Sequence, residues 1–179
     1  MIAKNLETNR LILRQWKDSD LPLFYRLNSN QKVMEYFPNT LTKEQSDKLA
    51  FRIQKELKEK PYGFWAAELK SESRFIGFIG LHHADFKANF TPCIEIGWRL
   101  DSPFWGKGYA TEGAKYVLDY AHNVLKIKEV ISFTAKNNFR SRRVMEKLKM
   151  THDENDNFLH PKISKGHPLS LHVLYRSRS

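Results

Sequence analysis

Three groups of chemically capable residues follow one another in the second half of the 179-residue sequence. Cys93 to Leu100 reads as a strand, and alternation puts Cys93, Glu95, Gly97 and Arg99 on one side and Ile94, Ile96, Trp98 and Leu100 on the other. Glu95 and Arg99 therefore share a face that is a cleft, a partly wet surface or a buried ion pair. A partly buried carboxylate has a raised pKa and can take a proton from an amine near neutral pH. The competing reading is a structural Glu satisfied by an arginine or by backbone donors.

The second group is the turn Trp105, Gly106, Lys107, Gly108, followed by Tyr109, Ala110, Thr111 and Glu112 at the start of a helix. Glycines permit positive φ and bring backbone N–H groups close to a ligand, and the first turn of the next helix adds unpaired N–H groups and a favourable dipole. That arrangement suits a pyrophosphate, with Lys107 as an extra cation; by itself it also fits a plain strand-to-helix connection. In the third group, Asn138, Ser141 and Met145 have the i, i+3, i+7 spacing of one helical face. Asn138 can cap that helix and Ser141 can bond back to its own backbone, or the two can line a ligand site.

The elements that must position these groups alternate in type. Thr8 to Arg14 reads as a strand, and Asp18 or Ser19 can cap a helix through Leu21, Phe24 and Leu27. Thr42 with Gln45 is a capping-box pattern opening a helix to about Lys60, with Leu49, Ile53 and Leu57 recurring every four residues. Phe64–Leu69, Phe75–Leu81 and Cys93–Leu100 read as a meander, with Gly77 and Gly80 leaving room for close neighbours. A helix from Gly108 to Leu125 presents a small-residue stripe including Ala110, Ala114 and Ala121. A strand Val130–Thr134, a helix Asn138–Leu148 and a final strand Leu171–Tyr175 complete the chain. The expectation is a mixed α/β sheet in a single domain spanning residues 1–179, mostly antiparallel and flanked by helices.

Composition bounds the rest. Hydrophobic residues at 41% and charged residues at 28% are ordinary for a globular protein. No apolar stretch approaches the length of a membrane span and no signal-peptide core is visible, so no membrane partner and a cytoplasmic site are expected. One cysteine, Cys93, excludes an intramolecular disulfide framework and reads as a small core residue rather than a nucleophile. His160, His167 and His172 do not have the spacing of a familiar zinc motif, so no metal is expected. The formal charge of +10 favours a polyanionic ligand, whether nucleic acid or a phosphorylated cofactor.

Taken in order, the Glu-Ile-Gly-Trp strand, the turn from Trp105 to Glu112, and Asn138, Ser141 and Val144 to Leu148 resemble the GNAT acetyltransferases of the ribosomal-protein N-terminal alanine type. Thr8 to Arg14 resembles their first strand. Trp105 stands where the wider superfamily has Gln or Arg, Met145 where many relatives have a tyrosine, and Lys149 where a helix-ending Gly is usual.

The resemblance implies acetyl-CoA as co-substrate and direct transfer to a primary amine. The pantetheine arm would lie between splayed strands near Glu95–Leu100 and Val130–Thr134. It implies Glu95 as base and backbone around Trp98, Arg99 and Leu100 polarising the thioester. Trp105 to Thr111 would bind the cofactor with the backbone of Trp98 to Leu100, and Asn138 and Ser141 would hold the arm and serve the leaving thiolate. The acceptor stays open among a peptide N-terminus, a polyamine, an aminoglycoside-like compound and a small metabolite amine, with the α-amine favoured. A homodimer is compatible with this reading. The alternative is a basic RNA- or ribosome-binding module with a vestigial CoA site, using Arg140, Arg142, Arg143, Lys147 and Lys149.

Overall fold

The computed structural model describes residues 3–179. Its strands are β1 (Leu6–Glu7), β2 (Leu11–Arg14), β3 (Phe64–Leu69), β4 (Arg74–Ala84), β5 (Cys93–Leu100), β6 (Glu129–Ala135), β7 (Thr151–His152), β8 (Phe158–Leu159) and β9 (Leu171–Arg178). They form one sheet in the order β1-β2-β3-β4-β5-β6-β9-β7, with β8 also paired to β9. Every pairing is antiparallel except β5 with β6, which are parallel and meet at one position, Glu95 opposite Ile131. Beyond it the two strands diverge, as the resemblance implies, and the mixed α/β fold is the expected one.

The helices are α1 (Leu21–Ser29), α2 (Lys43–Glu59), α3 (Tyr109–Asn123) and α4 (Phe139–Lys147). Alternation along β4 sends them to opposite faces of the sheet. Phe78 packs edge-on against Phe24 of α1, with ring centroids 6.0 Å apart. Its neighbour Ile79 meets α3 on the other side, so closely that a Cβ on Gly113 would lie 2.5 Å from Ile79 Cδ1. The small-residue face of α3, with Ala114, Val117 and Ala121 fully buried, is what permits that approach. The roles expected for Gly77 and Gly80 hold as well: a Cβ there would lie 2.1 Å from the Arg99 carbonyl oxygen and 2.0 Å from that of Gly63.

Thr42 caps α2 as expected, its Oγ1 accepting from Gln45 N at 3.2 Å while Gln45 Oε1 accepts from Thr42 N at 2.9 Å. The buried stripe is Ser46, Ala50, Ile53 and Leu57, a slight rotation that turns Leu49 towards the cleft described below. Two local expectations are corrected. Thr8–Arg14 is not one strand: Thr8 Oγ1 accepts from Leu11 N at 2.9 Å, folding the segment into a hairpin turn between β1 and β2. Neither Asp18 nor Ser19 caps α1. Residues Asp18–Asp20 form a 3₁₀ turn in which buried Asp20 accepts from Lys17 N and pairs with Arg14 at 2.7 Å. The periodic segments run longer than expected for β4, β6 and β9, where the pairing partner extends the strand. No helix among the described residues is long and apolar enough to cross a membrane.

Candidate active site

Between the segment joining α1 to α2, α2 itself and the diverging ends of β5 and β6 lies a cleft of about 720 Å³. Glu95 lines it. Its side chain projects on the same face as Phe78 and His82 of β4, because Phe78 pairs with Arg99 and His82 with Glu95 across the β4–β5 ladder. Among the described residues no group hydrogen-bonds or ion-pairs with the Glu95 carboxylate. Burial therefore acts almost unopposed, pushing the carboxyl up to about 8, with only the charge of Lys162 pulling the other way. Of the three readings of this face, the structure selects the cleft. Arg99 does not neutralise Glu95: its Nη1 donates to Asn28 Oδ1 at 2.6 Å, and its guanidinium lies between the rings of Phe37 and Phe78, 4.2 and 5.4 Å from their centroids.

The other edge of β5 supplies backbone donors. Asp101 N bonds to Ile76 O, so antiparallel alternation turns the peptide groups of Ile96, Trp98 and Leu100 away from β4 and towards β6. The Ile96 carbonyl accepts from Ser132 Oγ at 2.9 Å and the Leu100 carbonyl from Trp105 Nε1 at 2.7 Å. The N–H groups of Trp98 and Leu100 are left facing the gap where β6 has diverged.

At the end of that gap, Gly106 and Gly108 adopt φ of +74° and +83°, the left-handed conformations that glycine tolerates best. A Cβ at Gly106 would meet nothing within 4 Å, so the turn is open to the cleft and not packed against the body of the protein. The first α3 bond runs from Glu112 N to the Gly108 carbonyl, so the N–H groups of Tyr109, Ala110 and Thr111 have no intrahelical partner. Glu112 fastens this helix start to the β1–β2 turn, accepting from Thr8 Oγ1 at 2.6 Å, Arg10 N at 2.9 Å and Arg10 Nε at 2.6 Å. Although burial opposes it, these donors hold the Glu112 carboxyl below its ordinary range. Lys107 is not brought to the cleft: its exposed side chain lies over the Phe104 ring, with Nζ 5.8 Å from the centroid.

Asn138 caps α4, its Oδ1 accepting from Ser141 N at 3.2 Å and its Nδ2 donating to Thr134 Oγ1 at 2.9 Å. Both ends of the amide are thus engaged in positioning α4, while half-buried Ser141 lines the cleft beside Thr134. Met145 is buried in the core and outside the cleft. Lys149 takes the left-handed conformation usual for a helix-ending glycine, with φ +60°, and Met150 N closes the end by bonding to Met145 O at 3.1 Å. The basic set on α4 divides. Arg140, Arg143 and Lys147 line the cleft; Arg142 turns away, bonding to Tyr175 Oη and Lys136 O.

Of the histidines singled out in the sequence, His160 and His172 line the cleft, 4.9 Å apart and packed with Phe133 and Phe158. Burial lowers both below the ordinary imidazole value, His172 to about 4. His167 is exposed, its Nδ1 accepting from Leu169 N. Cys93 is half-buried, and burial together with nearby Glu95 pushes its thiol up to about 11, the opposite of nucleophile activation. Sequence reasoning missed His82 and Glu56, whose side chains approach to 3.5 Å at the cleft wall, and Phe37, which overlies Arg99. His82 was findable only through the β4–β5 register that sets it opposite Glu95.

Residues 10–151 match the acetyltransferase (GNAT) domain family. The Bacillus subtilis protein named uncharacterized N-acetyltransferase YnaD is 30% identical over 146 residues, covering 82% of each chain. A GNAT-family acetyltransferase from Bacillus anthracis superposes with a TM-score of 0.79 at 24% identity, covering 98% of each chain. The ribosomal L7/L12 α-N-protein acetyltransferase RimL, solved with coenzyme A, superposes with a TM-score of 0.76 at 16% identity over 98% of each chain. The last two share the fold; the family match and the B. subtilis relative carry the activity, and the chain belongs to the GNAT family as an acetyl-CoA-dependent N-acetyltransferase.

Proposed function

We propose that the cleft transfers an acetyl group directly from acetyl-CoA to a primary amine, a peptide N-terminus or small-molecule amine, with Glu95 as the base. The observation that carries this is the Glu95 carboxyl, lining the cleft without a pairing partner among the described residues and pushed up to about 8 by burial. An α-amine has an unperturbed pKa of about 7.7–8.0, so base and ammonium are closely matched, the condition under which proton transfer is most effective near neutrality.

The residues present fit the co-substrate. The left-handed turn at Gly106 and Gly108 and the N–H groups of Tyr109, Ala110 and Thr111, which have no intrahelical partner, form a cradle for a pyrophosphate. Arg140, Arg143 and Lys147 border the same cleft; Arg140 is paired with Glu35, and Arg143 and Lys147, without a carboxylate partner among the described residues, supply positive charge. The N–H groups of Trp98 and Leu100 face the gap between β5 and β6, where an extended amide-bearing arm can pair with them as a strand would. Trp98 and Leu100 contribute there through backbone, and Trp105 by holding the Leu100 carbonyl, whereas the Arg99 peptide group is turned to β4 and away from the gap. Bound acetyl-CoA supplies an electrophilic thioester carbonyl.

The rest falls to this chain. Glu95 removes the ammonium proton of the acceptor, directly or through water; the Trp98–Leu100 backbone donors stabilise charge developing on the carbonyl oxygen; Ser141 faces the departing thiolate as its hydrogen-bond donor. Asn138 acts as a positioning residue, because its cap sets the start of α4 and hence Ser141. Isothermal titration of the protein with acetyl-CoA, followed by thiol release over an amine panel, tests the reading. Glu95→Gln is expected to cut turnover by roughly 10²–10⁴ while leaving acetyl-CoA affinity unchanged. An unchanged kcat across pH removes Glu95 from the mechanism.

A further inference from the structure

The acceptor half of the cleft carries a charge that the protein leaves unmatched. Arg99 is half-buried, and its only hydrogen-bond acceptor among the described residues is the neutral amide oxygen of Asn28. Among the described residues its Nε is buried without an acceptor and no carboxylate lies within ion-pair distance, and the rings of Phe37 and Phe78 flank it. Enclosing a guanidinium without an anion is costly, and sites that carry such a cost are commonly completed by a ligand. The surroundings do not supply the missing charge. Arg52 and Lys162 also line this region; Glu56 is directed to His82. The half of the cleft that receives the acceptor is therefore an electropositive pocket with one planar cation fixed in its wall.

We infer that the acceptor is a primary amine that also carries a carboxylate, which pairs with Arg99 while the amine reaches Glu95. This rests on the cleft being the amine-acetylating site and names its substrate class. Asn28 holds Nη1, the Phe37 and Phe78 rings flank the guanidinium, and Nη2, neither bonded to the protein among the described residues nor sealed off, is the nitrogen left to donate to a carboxylate. The spacing excludes the carboxylate of the same amino acid. Glu95 and Arg99 are four residues apart on an extended strand, about 13 Å along it before their side chains lean into the cleft. A short peptide of three residues spans at most roughly 10–11 Å, which matches a gap shortened by two side chains. Polyamines and aminoglycosides, which bring only positive charge, are repelled by the same pocket.

The test uses trialanine, trialanine amide and spermidine, titrated calorimetrically into the protein saturated with CoA, then presented with acetyl-CoA for thiol release. Trialanine is expected to bind about tenfold or more tightly than its amide, the scale of one charge-assisted pair, and spermidine more weakly than either. Arg99→Gln is expected to erase the acid-over-amide preference, and Arg99→Lys to restore part of it, with the CoA titration of each variant reporting an intact fold. Equal binding of acid and amide by the unmodified protein, or tighter binding of spermidine, overturns the inference whatever the variants do. If trialanine binds preferentially but no amine is acetylated, the transfer reading fails and the carboxylate site stands.

Discussion

Replacing Glu95 with Gln ties a catalytic loss to a stability gain, and the size of both follows from one buried carboxyl. The group titrates near 8 in the folded protein against an ordinary value of 4.5. Between those pH values the native state keeps the proton and the unfolded chain has released it, so the native state binds more protons and stability falls as pH rises. The slope is about 1.4 kcal/mol per pH unit, giving at most about 5 kcal/mol by pH 8 and no further change above it. Because the cleft admits solvent to part of the side chain, about half that figure is the expected loss. Glu95→Gln keeps the shape of the neutral acid and removes the titration. Urea unfolding of both proteins at pH 5, 6.5, 8 and 9 should show near-equal stability at pH 5 and a variant more stable by about 2–3 kcal/mol at pH 8, with the difference level thereafter. Turnover of the unmodified enzyme should rise through the same inflection near 8, since only the ionised carboxylate accepts a proton. A stability difference that stays flat from pH 5 to pH 8, or a variant less stable at pH 8, refutes the argument that desolvation sets this pKa.

Other substitutions test the remaining parts. Gly108→Ala meets no close atom except Arg10 Nη2 at 3.4 Å, so its cost is the left-handed backbone alone, about 1 kcal/mol in thermal or urea unfolding, with weakened acetyl-CoA binding in calorimetry. Gly77→Ala places a Cβ 2.1 Å from the Arg99 carbonyl oxygen at φ +138°, and should cost about 3 kcal/mol or more by the same unfolding assay, since backbone must move. Asp20→Asn leaves buried Arg14 with Glu68 as its single carboxylate at 2.6 Å and should cost about 3 kcal/mol in urea. Burial opposes the shift, but Arg14 holds Glu68 below its ordinary range. Its share of stability is therefore present above pH 4.5 and lost as pH falls through the depressed value; a urea series from pH 6 to pH 2 should show that loss, and a flat one counts against it.

The sequence by itself determined the elements with strong local signals. The capping box at Thr42 and Gln45, the alternation of Cys93–Leu100 and the small-residue stripe of α3 all formed as read, because each is encoded within a few consecutive residues. So was the paired-glycine turn, whose left-handed φ values no other residue adopts as readily. Local reading failed where a side chain chose a partner far along the chain. Thr8 and Arg10 bend into a turn around Glu112, and Asp20 serves Arg14 instead of capping a helix. The short strands β1, β7 and β8 have two residues each, too few for any periodicity, and exist only because a longer neighbour pairs with them. Tertiary structure alone decided that the Glu95 carboxylate has no ion-pair partner among the described residues, that His82 lies across from it, and that Arg99 is held by Asn28 in place of an acid. Strand alternation could place Glu95 and Arg99 on one face. What stands opposite that face depends on how α1, α2 and the segment joining them pack across it, and desolvation, which sets the chemistry of both residues, is a property of that packing.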